Sequence, residues 1–360
     1  MNKNNYVAIM AGGIGTRFWP VSRTDFPKQF LDILNTGRTL IQATYDRFAK
    51  FMPAKNIYVV TLEQYKNIVA AQLPELPVEN ILCEPSRKNT APCIAYISYK
   101  LQQLNPQANL ICAPADHLVA DDEAFIKVCN DALHFTANIN ALITLGIKPT
   151  HPNTGYGYIQ YDQQSVVDNV YKIKTFTEKP DVQLAKTFMA SGDFLWNAGI
   201  FVWQVKNIIK ALEKYLPEMT EAFIAEINYF NTQQEKKALE RIYPQCVNIS
   251  IDYGIMEKAD NVYIIPSSFG WSDLGTWASA YQNLEKDYFD NAVTGDNVTV
   301  IDATNNMIHA ENKKLLLIQG LDDFIVVDTK DVLLICKKDK EQEIKEYVAE
   351  IKRNKGDKYL

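Results

Sequence analysis

The sequence has no apolar run that approaches the roughly 20 residues needed to cross a membrane as a helix. Its N-terminus is polar and lacks the apolar segment of a secretory signal peptide. Six cysteines occur without C-x-x-C spacing: Cys83, Cys93, Cys112, Cys129, Cys246 and Cys336. Because most of them lie in apolar stretches, we expect buried free thiols in a reducing cytoplasm rather than a disulfide framework or a zinc site.

An excess of basic residues is also missing. The 37 Lys and Arg residues are outnumbered by 43 Asp and Glu, for a formal net charge of −6. This balance disfavours nucleic acid as a partner, and the lack of a long apolar run disfavours a membrane. Hydrophobic content of 47% and charged content of 22% are ordinary for a globular protein. The 360 residues are enough for one large domain and a smaller one.

Two common nucleotide-binding loops are present only in part. The Walker loop G-x-x-x-x-G-K-[ST] is excluded because Gly15 is followed by Thr-Arg. The dinucleotide fingerprint G-x-G-x-x-G is incomplete because Phe18 occupies the position of the third glycine. Pro20 and Pro27 lie where that fingerprint requires a helix, and proline breaks helix interiors. The sequence therefore disfavours a nicotinamide-dependent dehydrogenase.

What the N-terminus does contain is a glycine-rich turn after an apolar strand at residues 6–10. The turn leads into an extended arm that holds Arg17, Arg23 and Lys28. Backbone N–H groups freed by glycine can converge on an anion, and nearby cations can neutralise a polyphosphate. A bare glycine turn would fit a structural bend equally well, but the cations on the same arm favour a small phosphorylated ligand.

Short apolar strands alternate with helical stretches over the first two-thirds of the chain. Strands are predicted at residues 6–10, 57–61, 110–113, 142–145, 171–177 and 262–265. Helices are predicted at residues 90–103, 122–136, 181–190, 205–215 and 276–284, with Thr90 and Asp181 as N-caps. This alternation predicts an α/β fold with a Rossmann-like, mainly parallel mixed sheet covered on both faces. Ligands of such folds gather at the carboxyl ends of the strands, where the glycine turn lies.

The pattern changes near Asn291. Four short β-rich segments follow, at residues 298–301, 315–318, 324–327 and 332–335, with no helix-length segment between them. We therefore predict a catalytic domain over residues 1–290 and a small β-rich C-terminal domain over residues 291–360. A charged amphipathic helix at residues 340–353 closes the chain, and we expect its charges to form a solvated face.

Residues 12–20, with 22–23 and 27–30, resemble the signature of the sugar-nucleotide pyrophosphorylases. The "Phe-Trp-Pro … Ser-Arg … Pro-Lys-Gln" form is similar to the mannose-1-phosphate guanylyltransferase branch, whereas thymidylyl and uridylyl relatives usually read Pro-Lys-Pro. The resemblance covers essentially the whole chain. It implies the nucleotide-diphospho-sugar transferase fold, a C-terminal β-helix, and nucleotidyl transfer from GTP to mannose 1-phosphate. It also suggests a homodimer.

Two aspartates complete the pattern that the resemblance implies. Asp116 follows the strand at residues 110–113, and Asp273 lies in Phe-Gly-Trp-Ser-Asp-Leu-Gly-Thr-Trp. From local sequence alone, either could simply cap a helix. The resemblance implies instead that both hold Mg²⁺, a hard cation that prefers oxygen ligands. His117 is expected to be structural.

Three segments resemble the sugar-contacting motifs of the family: those around Gly155, Glu178-Lys179 and Asn197. Glu178 can accept hydrogen bonds from sugar hydroxyls, and Lys179 can bind the sugar phosphate. The alternative is an exposed pair of surface charges. Asn197 lies among apolar residues, where a buried amide generally needs a partner.

The segment Glu-Pro-Ser-Arg-Lys-Asn-Thr-Ala-Pro at residues 84–92 resembles the motif near the base and ribose, although many relatives have Arg where this chain has Lys88. Guanine presents N–H donors, so either a carboxylate such as Glu84 or backbone carbonyls could read it. The expected nucleotide-binding residues are Ala11, Gly12, Gly13, Gly15, Thr16, Arg17, Lys28, Glu84, Asn89 and Thr90.

The reaction implied is in-line attack of the sugar phosphate on the α-phosphate of GTP, assisted by Mg²⁺, to give GDP-mannose and pyrophosphate. In it, Arg17 and Lys28 stabilise the triphosphate and Lys179 orients the sugar phosphate. The alternatives are a related nucleotidyltransferase with another base or sugar, and a non-catalytic regulatory homologue. Some relatives carry an added C-terminal cupin domain; because 360 residues leave no room for one, we expect a single activity.

Overall fold

Two units can be distinguished in the computed structural model of the chain, which describes residues 3–311 and 313–360. The first contains the residues up to Gly12 together with Thr44–Ala115 and Val119–Trp271. The second contains Gly13–Ala43, Asp116–Leu118 and Ser272–Leu360. The arm after the glycine turn is thus grouped with the C-terminal part of the chain, whereas a domain boundary after residue 290 stays a prediction.

The chain forms strands and helices in alternation. The strands are β1 (Asn5–Met10), β2 (Ile57–Leu62), β3 (Ile81–Glu84), β4 (Asn109–Pro114), β5 (Leu118–Val119), β6 (Leu142–Ile147), β7 (Gly157–Val167), β8 (Val170–Glu178), β9 (Phe194–Gln204), β10 (Val262–Ser267), β11 (Trp271–Ser272), β12 (Ala292–Thr294), β13 (Val298–Ile301), β14 (Met307–Ala310), β15 (Leu316–Gln319), β16 (Phe324–Asp328) and β17 (Leu333–Lys337). The helices are α1 (Leu40–Ala49), α2 (Lys66–Gln72), α3 (Thr90–Leu104), α4 (Asp122–Asn138), α5 (Val182–Ser191), α6 (Val205–Tyr215), α7 (Pro217–Ala225), α8 (Glu235–Ile242), α9 (Trp277–Asn283) and α10 (Ile344–Lys355).

The first unit is built on a nine-stranded sheet with the order β3-β2-β1-β4-β9-β6-β10-β8-β7. Only β8 and β9 run opposite to the other seven strands, so the prediction of a mixed, mainly parallel sheet is confirmed. The apolar run Val7–Ile9 in β1 is fully buried, as expected for a central parallel strand. Met10 of β1 pairs with Pro114 of β4, so Gly12 and Ala115 follow at the same edge of the sheet.

Of the two N-cap residues predicted from the sequence, one is wrong and the other is confirmed. Thr90 does not cap α3: Asn89, at φ 68°, is the N-cap, and its side chain accepts the Thr90 N–H. The Thr90 hydroxyl instead accepts the N–H of Ile251 at 2.8 Å. Asp181 caps α5 as predicted, because its carboxylate accepts the N–H of Leu184 at 2.9 Å.

The C-terminal strands stack as parallel coils, which confirms the β-helix-like module. β12, β14 and β16 pair in parallel, and β17 extends this sheet as a strand antiparallel to β16. β13 and β15 pair in parallel in a separate two-stranded sheet. Two buried asparagines stack between coils: Asn306 Nδ2 donates to Asn291 Oδ1 at 2.9 Å. Such ladders satisfy polar groups inside the stack.

The arm after the glycine turn packs into the core of this second unit. Phe18 and Trp19 are buried in one apolar cluster with Trp277 and Met307. The rings of Phe18 and Trp277 meet edge to face with centroids 4.9 Å apart. The aromatic part of the N-terminal signature is therefore a packing element, which fixes the segment that carries Arg17.

Two further features bear on the compartment and the chemistry. The six cysteines are free thiols, and four of them are buried. Among residues 3–311 and 313–360, no helix is both long and apolar enough to pass through a bilayer.

Candidate functional site

A cavity of about 310 Å³ lies within the second unit. It is lined by Gly15, Thr16, Arg17, Lys28, Asp116, His117, Asp273, Gly275 and Lys345. Six of these residues were predicted from the sequence as nucleotide or metal ligands. The size is near the lower end of ligand pockets, which range over roughly 300–1,000 Å³. The arm, the segment after β4 and the segment before α9 thus meet at one place.

Lys28 ties these segments together. It is only 4% exposed. Its Nζ forms an ion pair with Asp116 Oδ2 at 2.8 Å and donates to the carbonyls of Asp273 at 3.0 Å and Leu274 at 2.8 Å. An ammonium group has three donors, so these three contacts use all of them. Lys28 therefore positions both aspartate-bearing segments, a role that the sequence does not reveal.

The turn itself requires glycine at position 15. Gly15 has φ 64°, and a Cβ there would lie 2.4 Å from Lys28 Cβ. The carbonyls of the turn are held by the arm, since Ser22 Oγ donates to Ile14 O at 2.7 Å and Gln29 Nε2 donates to Gly13 O at 3.0 Å. The turn and the arm consequently form one rigid element.

The two predicted metal ligands both border the cavity. Burial raises the pKa of Asp116, but the charges of Lys28 and His117 more than offset it, so its pKa is lowered and the carboxylate is ionised. Asp273 Oδ1 accepts the N–H of Gly275 at 2.9 Å. Asp273 does not cap α9, because Thr276 does so in a reciprocal capping box with Ser279.

The donor set suits a hard cation that brings some of its own ligands. No group of three or more His, Cys, Asp or Glu suited to a metal occurs in the described part of the chain. Asp116 and Asp273 supply carboxylate oxygens, which Mg²⁺ prefers, and this ion usually keeps waters and substrate phosphates as further ligands. Two carboxylates at one cavity therefore fit such a site.

Two residues on the C-terminal side of this unit escaped the sequence-based prediction. Lys345, on the first turn of α10, lines the cavity. Glu341 Oε2 accepts the N–H of Ala278 at 2.8 Å, and burial raises the pKa of Glu341 despite this hydrogen bond. Arg17 Nε is buried without a hydrogen-bond partner among the described residues. A helix with alternating charges gave no local signal that one lysine faces a cavity.

A second group of predicted residues lies in the first unit, around Glu178. Its side chain is 8% exposed; one carboxylate oxygen pairs with Lys179, and the other is buried without a partner in the described part of the chain. A Cβ on Gly157 would lie 2.4 Å from that second oxygen, so glycine is required there. Lys179 has φ 50° and is 55% exposed. Strained backbone of this kind is frequent at functional sites.

Asn197 connects this group to a residue that the sequence-based prediction missed. Its Oδ1 accepts from Thr144 Oγ1 at 2.7 Å, and its Nδ2 donates to Asp252 Oδ1 at 2.8 Å. Burial and the nearby charge of Glu178 raise the pKa of Asp252 to about 6. The sequence signal that could have identified Asp252 is its acidic side chain within an otherwise largely apolar segment. The remaining predicted sugar-side residue is Gly155, whose N–H donates to Asn153 Oδ1 at 2.7 Å.

The predicted base-side residues also lie in the first unit. Glu84, at the carboxyl end of β3, is 5% exposed and accepts from Tyr243 Oη at 2.9 Å. Burial raises its pKa to about 7, against the lowering effects of Tyr243 and Arg87. Gly12 is its neighbour, because a Cβ there would lie 3.5 Å from Glu84 Oε2. The N–H of Ala11 donates to Val60 O and so extends the pairing between β1 and β2.

Comparison with known proteins places the chain in a family. Residues 6–288 match the family model described as "Nucleotidyl transferase". The chain belongs to this family. Residues 296–351 match a second model, "MannoseP isomerase/GMP-like beta-helix domain", which covers the stacked strands from β13 onward. The family resemblance inferred from the sequence motifs, and the C-terminal β-helix that it implied, are therefore confirmed.

Curated relatives are similar along nearly the whole chain. It is 34% identical over 351 residues to a mannose-1-phosphate guanylyltransferase of Escherichia coli, covering 95% of this chain and 75% of that protein. It is 36% identical over 347 residues to the alginate biosynthesis protein AlgA of Pseudomonas syringae pv. tomato, covering 95% and 70%. A crystal structure named mannose-1-phosphate geranyltransferase, from Thermus thermophilus, matches with a TM-score of 0.87 and 29% identity over 97% of this chain and 99% of that one.

Proposed function

We propose that this nucleotidyltransferase is a mannose-1-phosphate guanylyltransferase, which converts GTP and α-D-mannose 1-phosphate to GDP-mannose and pyrophosphate. The observation that carries the proposal is the gathering of Arg17, Lys28, Asp116 and Asp273 at one cavity. It occurs in a chain that is 34% identical to a protein named for this reaction.

The obstacle in this reaction is to bring two polyanions together in line. The sugar phosphate needs no general base, because a phosphate monoester with a second pKa of about 6 is largely dianionic at neutral pH. Catalysis then depends on positioning and on charge neutralisation. In the proposal Arg17 faces the triphosphate, and Lys28 keeps Asp116 and the Asp273 segment in place.

Mg²⁺ is the proposed cofactor, held by Asp116 and Asp273. When bound, it would neutralise charge on the reacting phosphates. Because Lys28 lowers the pKa of Asp116, the carboxylate stays ionised and ready for a cation over a wide pH range. The hydrogen bond from Gly275 to Asp273 orients the second carboxylate.

In the first unit, we assign Lys179 to the sugar phosphate and Glu178, Asn197 and Asp252 to the sugar hydroxyls. The chain Thr144–Asn197–Asp252 fixes the amide, and the Glu178 oxygen without a partner is an acceptor suited to a hydroxyl. Glu84 is the proposed reader of guanine, since a carboxylate can accept from N1–H and the N2 amino group together. Its raised pKa makes this acceptor pH-dependent near neutrality.

The test is pyrophosphate release by purified protein with Mg²⁺, using four nucleoside triphosphates against mannose 1-phosphate and glucose 1-phosphate. Metal-dependent turnover confined to GTP and mannose 1-phosphate would support the proposal. Turnover with another pair would overturn the substrate assignment and leave a related nucleotidyltransferase. Absence of turnover with every pair would favour a regulatory homologue instead.

A further inference from the structure

Lys345 is the one residue of the C-terminal helix among those that line the cavity of the second unit. It is exposed to solvent and lies on the first turn of α10. The cavity therefore has three cations, Arg17, Lys28 and Lys345, together with the carboxylates of Asp116 and Asp273.

The position of Lys345 is fixed by its neighbours along the chain. Ile344 is fully buried in the apolar cluster that also contains Phe18 and Leu274. One turn earlier, Glu341 accepts the N–H of Ala278 at 2.8 Å. Because these contacts anchor the start of α10 on both sides, the packing of its neighbours sets the position of Lys345 at the cavity.

Three cations and two carboxylates line the cavity, so its charges favour a polyanion. All three donors of Lys28 are used by Asp116, Asp273 and Leu274, and its charge is compensated by Asp116 at 2.8 Å. A polyphosphate carries several negative charges, so Lys28, which is paired with Asp116, cannot neutralise it alone. Arg17 and Lys345 are the other two cations of the cavity lining.

We propose that Lys345 binds the β- and γ-phosphates of the nucleoside triphosphate and the pyrophosphate that leaves. The C-terminal helix then completes the anion site of the enzyme rather than presenting only a solvated face. Only the identity of the anion rests on the proposed function; the placement of Lys345 among the cavity residues does not.

The direct test is calorimetric titration of the full chain with inorganic pyrophosphate and Mg²⁺. Lys345→Ala should weaken binding by at least ~10-fold, the loss expected for one charge-assisted hydrogen bond. Lys345→Arg should restore most of the affinity. Lys355→Ala is the matched control, since it removes an exposed lysine from the last turn of the same helix and should leave binding unchanged.

Steady-state kinetics distinguish the role proposed for Lys345 from the proposed guanylyltransferase reaction. Lys345→Ala should raise KM for the triphosphate and leave KM for the sugar phosphate unchanged, with an unchanged melting temperature because Ile344 supplies the packing. Wild-type affinity for pyrophosphate in Lys345→Ala, or an equal loss in Lys355→Ala, would overturn the role of Lys345. Wild-type protein that binds pyrophosphate through Lys345 yet turns over no sugar phosphate would refute the proposed reaction alone.

Discussion

Lys28→Met gives the sharpest test of how the site is built. Methionine keeps most of the length of the side chain but removes the ammonium group that contacts Asp116 and two backbone carbonyls. The carboxylate of Asp116 would then lie beside a cavity without its partner. Both aspartate-bearing segments should loosen together, so we expect stability and activity to fall in parallel.

The expected magnitude follows from the burial of the contacts. Removing one partner of a buried ion pair typically costs about 3–5 kcal/mol. Lys28 is 4% exposed, but the Asp116 side chain is 30% exposed, so water can partly solvate the orphaned carboxylate. We therefore expect the low end of that range, about 3 kcal/mol in the free energy of unfolding. Turnover should fall at least ~10²-fold, as for the loss of a preorganised electrostatic contact.

Urea unfolding followed by tryptophan fluorescence measures the first effect, because Trp19 and Trp277 are buried in the same unit as Lys28. Pyrophosphate release measures the second. Lys340→Met is the control: it makes the same substitution in that unit at an exposed lysine paired with Glu343 and should change neither quantity. A Lys28→Met protein with wild-type unfolding and wild-type turnover would refute the positioning role.

Three more substitutions have expected outcomes. Asp273→Asn should fold normally, since an amide oxygen still accepts the Gly275 N–H, but should abolish Mg²⁺-dependent turnover; circular dichroism and metal titration of the rate check this. Lys179→Ala should lower turnover at least ~10²-fold at unchanged melting temperature, because the side chain is 55% exposed; normal kcat/KM would remove it from the mechanism. Folding takes up a proton at Glu84 between its ordinary pKa of about 4.5 and about 7, so stability should fall as pH rises through that window, and Glu84→Gln should flatten the dependence in urea unfolding.

Periodicity in the sequence recovered only some of the regular elements: β3 and the helices α1, α2, α7 and α8 were not predicted. All six predicted strands of the catalytic part are present, each within two residues of its bounds. β9 was missed because Asn197 and Gly199 break its apolar run, and β7 because it begins at a glycine and is mostly polar after Tyr161. At such places the local pattern and the structure diverge, as is expected where a proposed site interrupts a strand.

The same limit applies to the site. Motifs identified Arg17, Lys28, Asp116 and Asp273, and the structure brings all four to one cavity. They did not reveal that all three hydrogen-bond donors of Lys28 contact protein groups. A hydrogen bond between residues 245 positions apart produces no pattern in the local sequence. Lys345 was missed for the same reason.

These contacts explain why the glycine turn and the stacked coils belong together. Phe18 and Trp19, in the arm, fill the core that Trp277, Met307 and Ile344 complete from the C-terminal side. Arg17 is therefore held in place by packing from residues nearly 300 positions away, and its orientation depends on coils that carry no predicted catalytic group. A C-terminal module that merely accompanied the nucleotidyltransferase would leave the aromatic part of the signature exposed, and exposure of such side chains is costly. The coils are thus a structural requirement of the proposed phosphate site.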